Sequence, residues 1–243
     1  MAGTIYSRIA YFTVAKLAEQ AERYDDVAES IKDIAIHIDA RLTIDERSLL
    51  SVAYKMKSNS LRTALRLTTK LSNAPSNTPR QVKLGEAECR RIERELAIVC
   101  EDVVALLKTR LMPGAADHGE ERVFLLKMLG DYYRYLAECS KENRDEYIQG
   151  ALSSYTSAYK EGLRSMEPLH PTRLGVALNF AVFYHDCKES PIRACYLAKQ
   201  ALDDAVVALL VWKGTESLHD AFVILQLLKD DLVLWAKEMG DQI

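Results

Sequence analysis

Two groups of basic side chains are spaced so that they could hold an anion. Lys55, Arg62 and Arg66 fall at i, i+7 and i+11. At about 100° per residue, three such positions on a helix share one stripe roughly 40° wide. From Arg47 to Gly85 there is no aspartate or glutamate, so nothing on the stripe neutralises it locally. A stripe of this kind is either a solvated basic face or an anion site. Guanidinium groups fork onto phosphate oxygens, and a phosphoserine carries about −1.5 to −2 charges. The second group is Lys127 and Arg134, again i and i+7, with Asp131 between them and Tyr135 following. An acid so placed either holds the arginine in one rotamer or makes an ordinary helix ion pair, and a phenol adds a donor. Tyr132 and Tyr133 in the same segment read as core.

A third signal is an apolar surplus. Phe222 to Leu228 and Leu232 to Trp235 place apolar side chains around most of one helix, and Leu174 to Tyr184 is apolar apart from Asn179. One apolar face suffices to pack a helix on a core. The excess means burial on both sides or a groove for a partner segment. Asn179 is then a satisfied core amide or a clamp offering donor and acceptor to another backbone, and spacing does not choose between them.

The elements that carry these residues are helices. Apolar residues recur at helical spacing almost throughout, and no stretch alternates with period two. Thr43-Ile44-Asp45-Glu46 is a capping box. The pattern predicts nine helices, near 4–20, 24–38, 43–71, 79–112, 117–140, 144–165, 171–188, 190–211 and 215–238, joined by short connections. No composition shift marks a linker and no fixed repeat period is present, so one all-α domain over 1–243 is expected. Hydrophobic residues at 49% and charged residues at 28% are enough to build a core. The net charge of −3 gives no global pull toward nucleic acid or an anionic membrane. The longest apolar run, Ala205 to Trp212, is far short of the ~20 residues that span a bilayer. The five cysteines form no C-x-x-C pair and read as reduced thiols of an intracellular protein.

Several of these segments together resemble the 14-3-3 family of phosphopeptide-binding adaptors. The resemblance is carried by Lys16 to Asp26, Leu49 to Lys55, Gly130 to Glu138, and His170-Pro171 followed by Arg173 to Gly175 and Ala177 to Phe180, in order along the chain. It implies a cup of about nine antiparallel helices with one amphipathic groove, lined by helices 43–71, 117–140, 171–188 and 215–238. By the same likeness Arg62, Arg134 and Tyr135 bind the phosphate, with Lys55 beside them. Asn179 clamps the peptide backbone, and Lys127 borders the groove. Leu178, Val182, Val223, Ile224, Leu227, Leu234 and Trp235 form its apolar wall. The two N-terminal helices, with parts of the third and fourth, would dimerise through Leu17, Ala21, Arg23, Asp26, Ala64, Glu88, Arg91 and Glu95. Against the family pattern, Asp231 stands where a second clamping asparagine is usual. Asp186 replaces a glutamate that orients groove residues, Leu129 takes a usually basic position, and Glu88 replaces an aromatic.

The implied partners are phosphorylated client proteins and a second copy or a paralogue, in the cytoplasm or nucleus, with no cofactor, nucleic acid or membrane insertion. The alternative within the same fold is a degenerate member with an occluded or specialised groove and weak or no phosphopeptide binding. An enzyme is not expected. Asp25-Asp26-Val27-Ala28-Glu29 approaches the D-D-x-x-D diphosphate–magnesium signature, but no second acidic motif accompanies it. Gly114 to Glu121 has P-loop glycine spacing but acids where lysine and a hydroxyl belong. The five histidines form no H-E-x-x-H zinc motif.

Overall fold

The Thr43 hydroxyl accepts from the Glu46 backbone N–H at 3.3 Å, and the Glu46 carboxylate accepts from the Thr43 N–H at 2.7 Å, closing the capping box that opens the third helix. This computed structural model describes residues 7–214 and 218–240. Among the described residues the chain is nine helices: α1 (Arg8–Gln20), α2 (Tyr24–His37), α3 (Ile44–Ser72), α4 (Pro79–Leu106), α5 (Glu120–Cys139), α6 (Arg144–Ser165), α7 (Pro171–Asp186), α8 (Pro191–Val211) and α9 (His219–Gly240). A π-turn at Leu107–Leu111 and a last helical turn at Met112–Gly114 continue α4. The helix starts follow capping chemistry. Thr78 and Gln81 form a second capping box ahead of Pro79, and His170 caps α7 ahead of Pro171, whose missing N–H costs nothing there. Ser7 caps α1, its hydroxyl accepting from the Ala10 backbone N–H. Positions 4–6 and 215–217, where the first and last helices were expected to begin, lie outside the described residues.

The helices pack as two compact units, Met1–Ala115 with Tyr135–Arg144, and Ala116–Arg134 with Asp145–Ile243. In the first, α1 packs on α2 and α3, α2 on α3, and α3 on α4. Ala15, Val27, Ile31, Ile34, Leu50, Ala53, Leu96, Cys100 and Val103 form its core, each large aliphatic side chain stabilising by about 1.5–3 kcal/mol on burial. Polar anchors fix the register of α3. Asp102 accepts from the buried Tyr54 hydroxyl and from Lys32 Nζ, both at 2.5 Å. Arg8 forks onto Glu46 at 2.8 and 2.6 Å. With Tyr54 turned into the core, its chain neighbour Lys55 is turned outward.

The second unit centres on Val123, Tyr155, Ala158, Leu174, Phe180, Phe183, Ala198 and Leu228. Tyr155 stacks on Phe180 and tilts against Phe183, each with centroids 5.6 Å apart. A Cβ on Gly130 would lie 2.8 Å from the Tyr155 ring, so this close approach of α5 to α6 requires glycine. On α9, Ala221, Leu228 and Trp235 repeat every seven residues and are buried.

Candidate functional site

In the first unit the basic stripe of α3 forms as its spacing predicts, with Lys55 and Arg66 exposed. The expectation that nothing neutralises it holds only along α3. The counter-charge comes from α5, a helix remote in sequence. Arg62 donates Nε to Glu138 at 3.0 Å and Nη2 to both carboxylate oxygens at 3.1 and 2.8 Å. Its guanidinium also lies 4.1 Å from the centroid of the Tyr135 ring. Tyr135 and Glu138 are three apart on α5 and therefore share a face. Local spacing could not reveal this pair, since Arg62 and Glu138 are 76 residues apart.

In the second unit Asp131 is the centre of the other group. Its carboxylate accepts from Lys127 Nζ at 2.9 Å, from the Tyr155 hydroxyl at 2.5 Å and from the Asn179 side-chain amide at 2.7 Å. Arg134 Nη2 is 3.9 Å from it, and Arg134 Nε donates to the Tyr155 hydroxyl at 3.3 Å. Burial pushes the Asp131 carboxyl up, but Lys127, Arg134 and the hydrogen bonds outweigh it and hold the group below the usual carboxylate range. Burial and the Asp131 charge push the Tyr155 phenol well above its usual value, so it stays a donor. The acid between Lys127 and Arg134 is thus the buried partner of four side chains, more than a helix ion pair. Asn179 donates one N–H of its side-chain amide to Asp131 and is half-buried.

The apolar surplus divides by helix face. Val223, Leu227 and Leu234, at i, i+4 and i+11, are 49%, 48% and 52% exposed. Ile224 beside them, and Leu178 and Val182 on α7, are half-buried. Trp235, expected on the same apolar wall, is 4% exposed and lies about 100° around α9 from those three, with its ring 5.0 Å from the stacked His185 imidazole. Asp186 is exposed and takes His185 Nδ1 at 2.7 Å, so the group it orients is that imidazole. Glu238 of α9 takes the other ring nitrogen at 3.0 Å. Asp231 is half-buried, and burial, then Asp186 and Asp230, raise its carboxyl above the ordinary value. Leu129 is buried, where a basic side chain would have no water.

At the expected dimer surface Leu17 is 62% exposed and Ala21 is exposed, while Ala64 is half-buried. The ion pairs close within the chain: Arg23 with Asp26, and Arg91 with both Glu88 and Glu95. Glu88 therefore has a local partner although it replaces an aromatic. Of the residues that support the site, Glu138, Tyr155 and His185 were not singled out from the sequence. Only Glu138 carried a local signal, its i+3 and i+4 spacing from Tyr135 and Arg134.

An all-helical scaffold with basic and amphipathic faces suits the docking of a charged, partly apolar segment. The comparisons agree. The family model described as "14-3-3 protein" matches residues 14–236. The chain is 43% identical to 14-3-3 protein epsilon of Drosophila melanogaster, over 93% of this chain and 86% of that one. It is 44% identical to the checkpoint signal transducer rad24 of Schizosaccharomyces pombe, over 93% and 83% respectively. It is 42% identical to the 14-3-3-like protein GF14 chi of Arabidopsis thaliana, over 99% and 91%. The chain belongs to the 14-3-3 family: it is a phosphopeptide-binding adaptor and not an enzyme. The comparisons give no support to a degenerate member over a working one. Among the described residues no helix is long and apolar enough to cross a membrane.

Proposed function

We propose that this chain binds phosphoserine- and phosphothreonine-containing segments of client proteins through a defined residue set. Arg62, Arg134 and Tyr135 hold the phosphate with Lys55 beside them, and Asn179 clamps the peptide backbone. Leu178, Val182, Val223, Ile224, Leu227 and Leu234 receive apolar side chains. The observation that carries the reading is the Asp131 centre, which ties Lys127, Arg134 and Asn179 to one buried carboxylate and so preorganises a cation and an amide together. Preorganised groups lose little entropy when a ligand arrives. Each charge-assisted bond to phosphate is worth about 1.5–3 kcal/mol, and an unphosphorylated serine forfeits the set.

We take the chain to act as one 14-3-3 domain. Two copies, or a copy and a paralogue, pair through the N-terminal helices, where Leu17 and Ala21 are exposed. Two binding faces then give avidity for doubly phosphorylated clients. The cytoplasm, with access to the nucleus, is the compartment that suits kinase products and unpaired thiols. The test is a calorimetric titration with a phosphoserine peptide of the Arg-Ser-x-pSer-x-Pro type and its unphosphorylated twin, with Arg62→Ala as the control. Binding that needs both the phosphate and Arg62 supports the reading. Equal binding of the two peptides, or none, overturns it.

A further inference from the structure

Arg62 already has an anion. Its Nε and Nη2 are spent on Glu138 at 2.8–3.1 Å, and one face of the guanidinium is covered by Tyr135. Of the five N–H donors of an arginine, the edge best suited to a forked anion is the one in use. The Glu138 side chain is 30% exposed and that of Arg62 is 14% exposed, so the acid can swing into water while the guanidinium stays seated. We infer that Glu138 sets the affinity threshold at this anion site: it is an internal carboxylate that an incoming ligand must displace or out-compete, so that a phosphate dianion still binds and a single carboxylate does not. The inference rests on the phosphopeptide reading above and adds the residue that grades the ligand's charge.

The argument is one of exchange. A glutamate or aspartate of a passing peptide would replace one carboxylate by another on Arg62, with no net gain and with the cost of ordering the peptide. A phosphate ester brings about −1.5 to −2 charges and three acceptor oxygens, so the same exchange is favourable. If Glu138 stays in place, its charge repels any anion that approaches Arg62, and a second cation is then needed to offset it. Lys55 and Arg66 stand exposed on the same stripe of α3. Without Glu138 the site would accept acidic segments indiscriminately.

The test uses the full chain, wild type and Glu138→Gln, with three peptides differing only at the central residue: phosphoserine, glutamate and serine. Glutamine keeps the shape and one acceptor oxygen, and a thermal melt checks that the variant folds. Arg62→Ala reports whether binding passes through the guanidinium. The expected result is that Glu138→Gln tightens the phosphoserine and glutamate peptides alike, by about tenfold, so that the glutamate peptide crosses into measurable binding while the serine peptide is unchanged. Binding of phosphoserine by Glu138→Gln but not by wild type would also support the inference, as full self-occlusion. Unchanged phosphoserine and glutamate affinities, or weaker phosphoserine binding by the variant, overturn it and leave Glu138 as a positioning partner of Arg62. Failure of both proteins to bind any of the three peptides overturns the phosphopeptide reading and this inference together. Should Glu138→Gln melt early, Glu138→Asp, which keeps the charge but shortens its reach, is expected to tighten both anionic peptides in the same sense, and unchanged affinities overturn the inference.

Discussion

Asn179 donates its side-chain amide to Asp131 at 2.7 Å, and that carboxylate is the same one that holds Lys127 at 2.9 Å. The amide proposed to clamp a peptide is therefore oriented from behind. The amide's second N–H and its carbonyl oxygen are the groups that would meet a peptide backbone. The role of Asn179 depends on a residue 48 positions earlier in the chain.

Asp131→Asn is accordingly expected to cost more than one hydrogen bond. It leaves Arg134 and Lys127 without their buried counter-charge, a change of about 3–5 kcal/mol when one partner of a buried pair is removed. Urea denaturation should show that loss, and phosphoserine-peptide affinity should fall with it. The pH dependence has a defined sign. The folded carboxyl lies below its unfolded value of roughly 3.9, so its stabilisation is complete above that value and is lost as pH falls through the folded one. The gap between wild type and variant should be constant from pH 5 to 7 and close at lower pH. A gap of the same size at every pH would remove the charge from the explanation.

His185 gives the opposite sign. Burial pulls the imidazole down, but the hydrogen bonds to Asp186 and Glu238 outweigh it, and the group is raised. A neutral imidazole has one N–H and could donate to only one of these carboxylates, whereas the cation donates to both. Its stabilisation is complete below the unfolded value of about 6.5 and is lost as pH rises through the folded value. Between pH 6 and 8.5 the melting temperature of wild type should decline relative to that of His185→Gln. Parallel curves would show that the α7–α9 clasp is held by the Trp235 stack alone.

Asp231 is raised because it is half-buried near Asp186 and Asp230, so ionising it costs more in the folded chain than in the unfolded one. That cost grows as pH rises between the unfolded and folded values and is constant above them. Asp231→Asn removes it, and on the proposed binding face it also restores a donor in place of a charge that repels phosphopeptides. About two- to fivefold tighter peptide binding is expected at pH 7.5, the size of one partly solvated charge. An unchanged dissociation constant would place Asp231 away from the bound peptide.

Helix positions and capping were legible because they are written in local chemistry. Thr43, Pro79, Pro171 and the 3.6-residue apolar period each act within one or two turns. The basic stripe on α3 was legible for the same reason. Its neutralisation by Glu138, the Tyr155 donor to Asp131 and the burial of Trp235 against His185 were not, since each joins helices distant in the chain and is decided by packing. The fate of Trp235 shows the limit most plainly. A helix apolar on nearly all sides does not announce which face will meet the core, and here the 221–228–235 row was buried while Val223, Leu227 and Leu234 stayed half exposed.

The exposed Leu17 separates association from folding. A side chain 62% exposed contributes little to the stability of its own chain, and replacing such a residue usually changes stability by no more than about 0.5 kcal/mol. Buried at a self-interface, the same position would make an aspartate costly, because a desolvated charge would face its counterpart across the symmetry axis. The nearby pairs Arg23 with Asp26, and Arg91 with Glu88 and Glu95, are satisfied within the chain. Apolar contact through Leu17 is the part of the interface that this position tests. Leu17→Asp is expected to leave the melting transition of the monomer nearly unchanged while shifting the light-scattering mass at micromolar concentration from two chains to one. A wild type that is already monomeric, or a variant that still runs as a dimer, would take the N-terminal helices out of the interface.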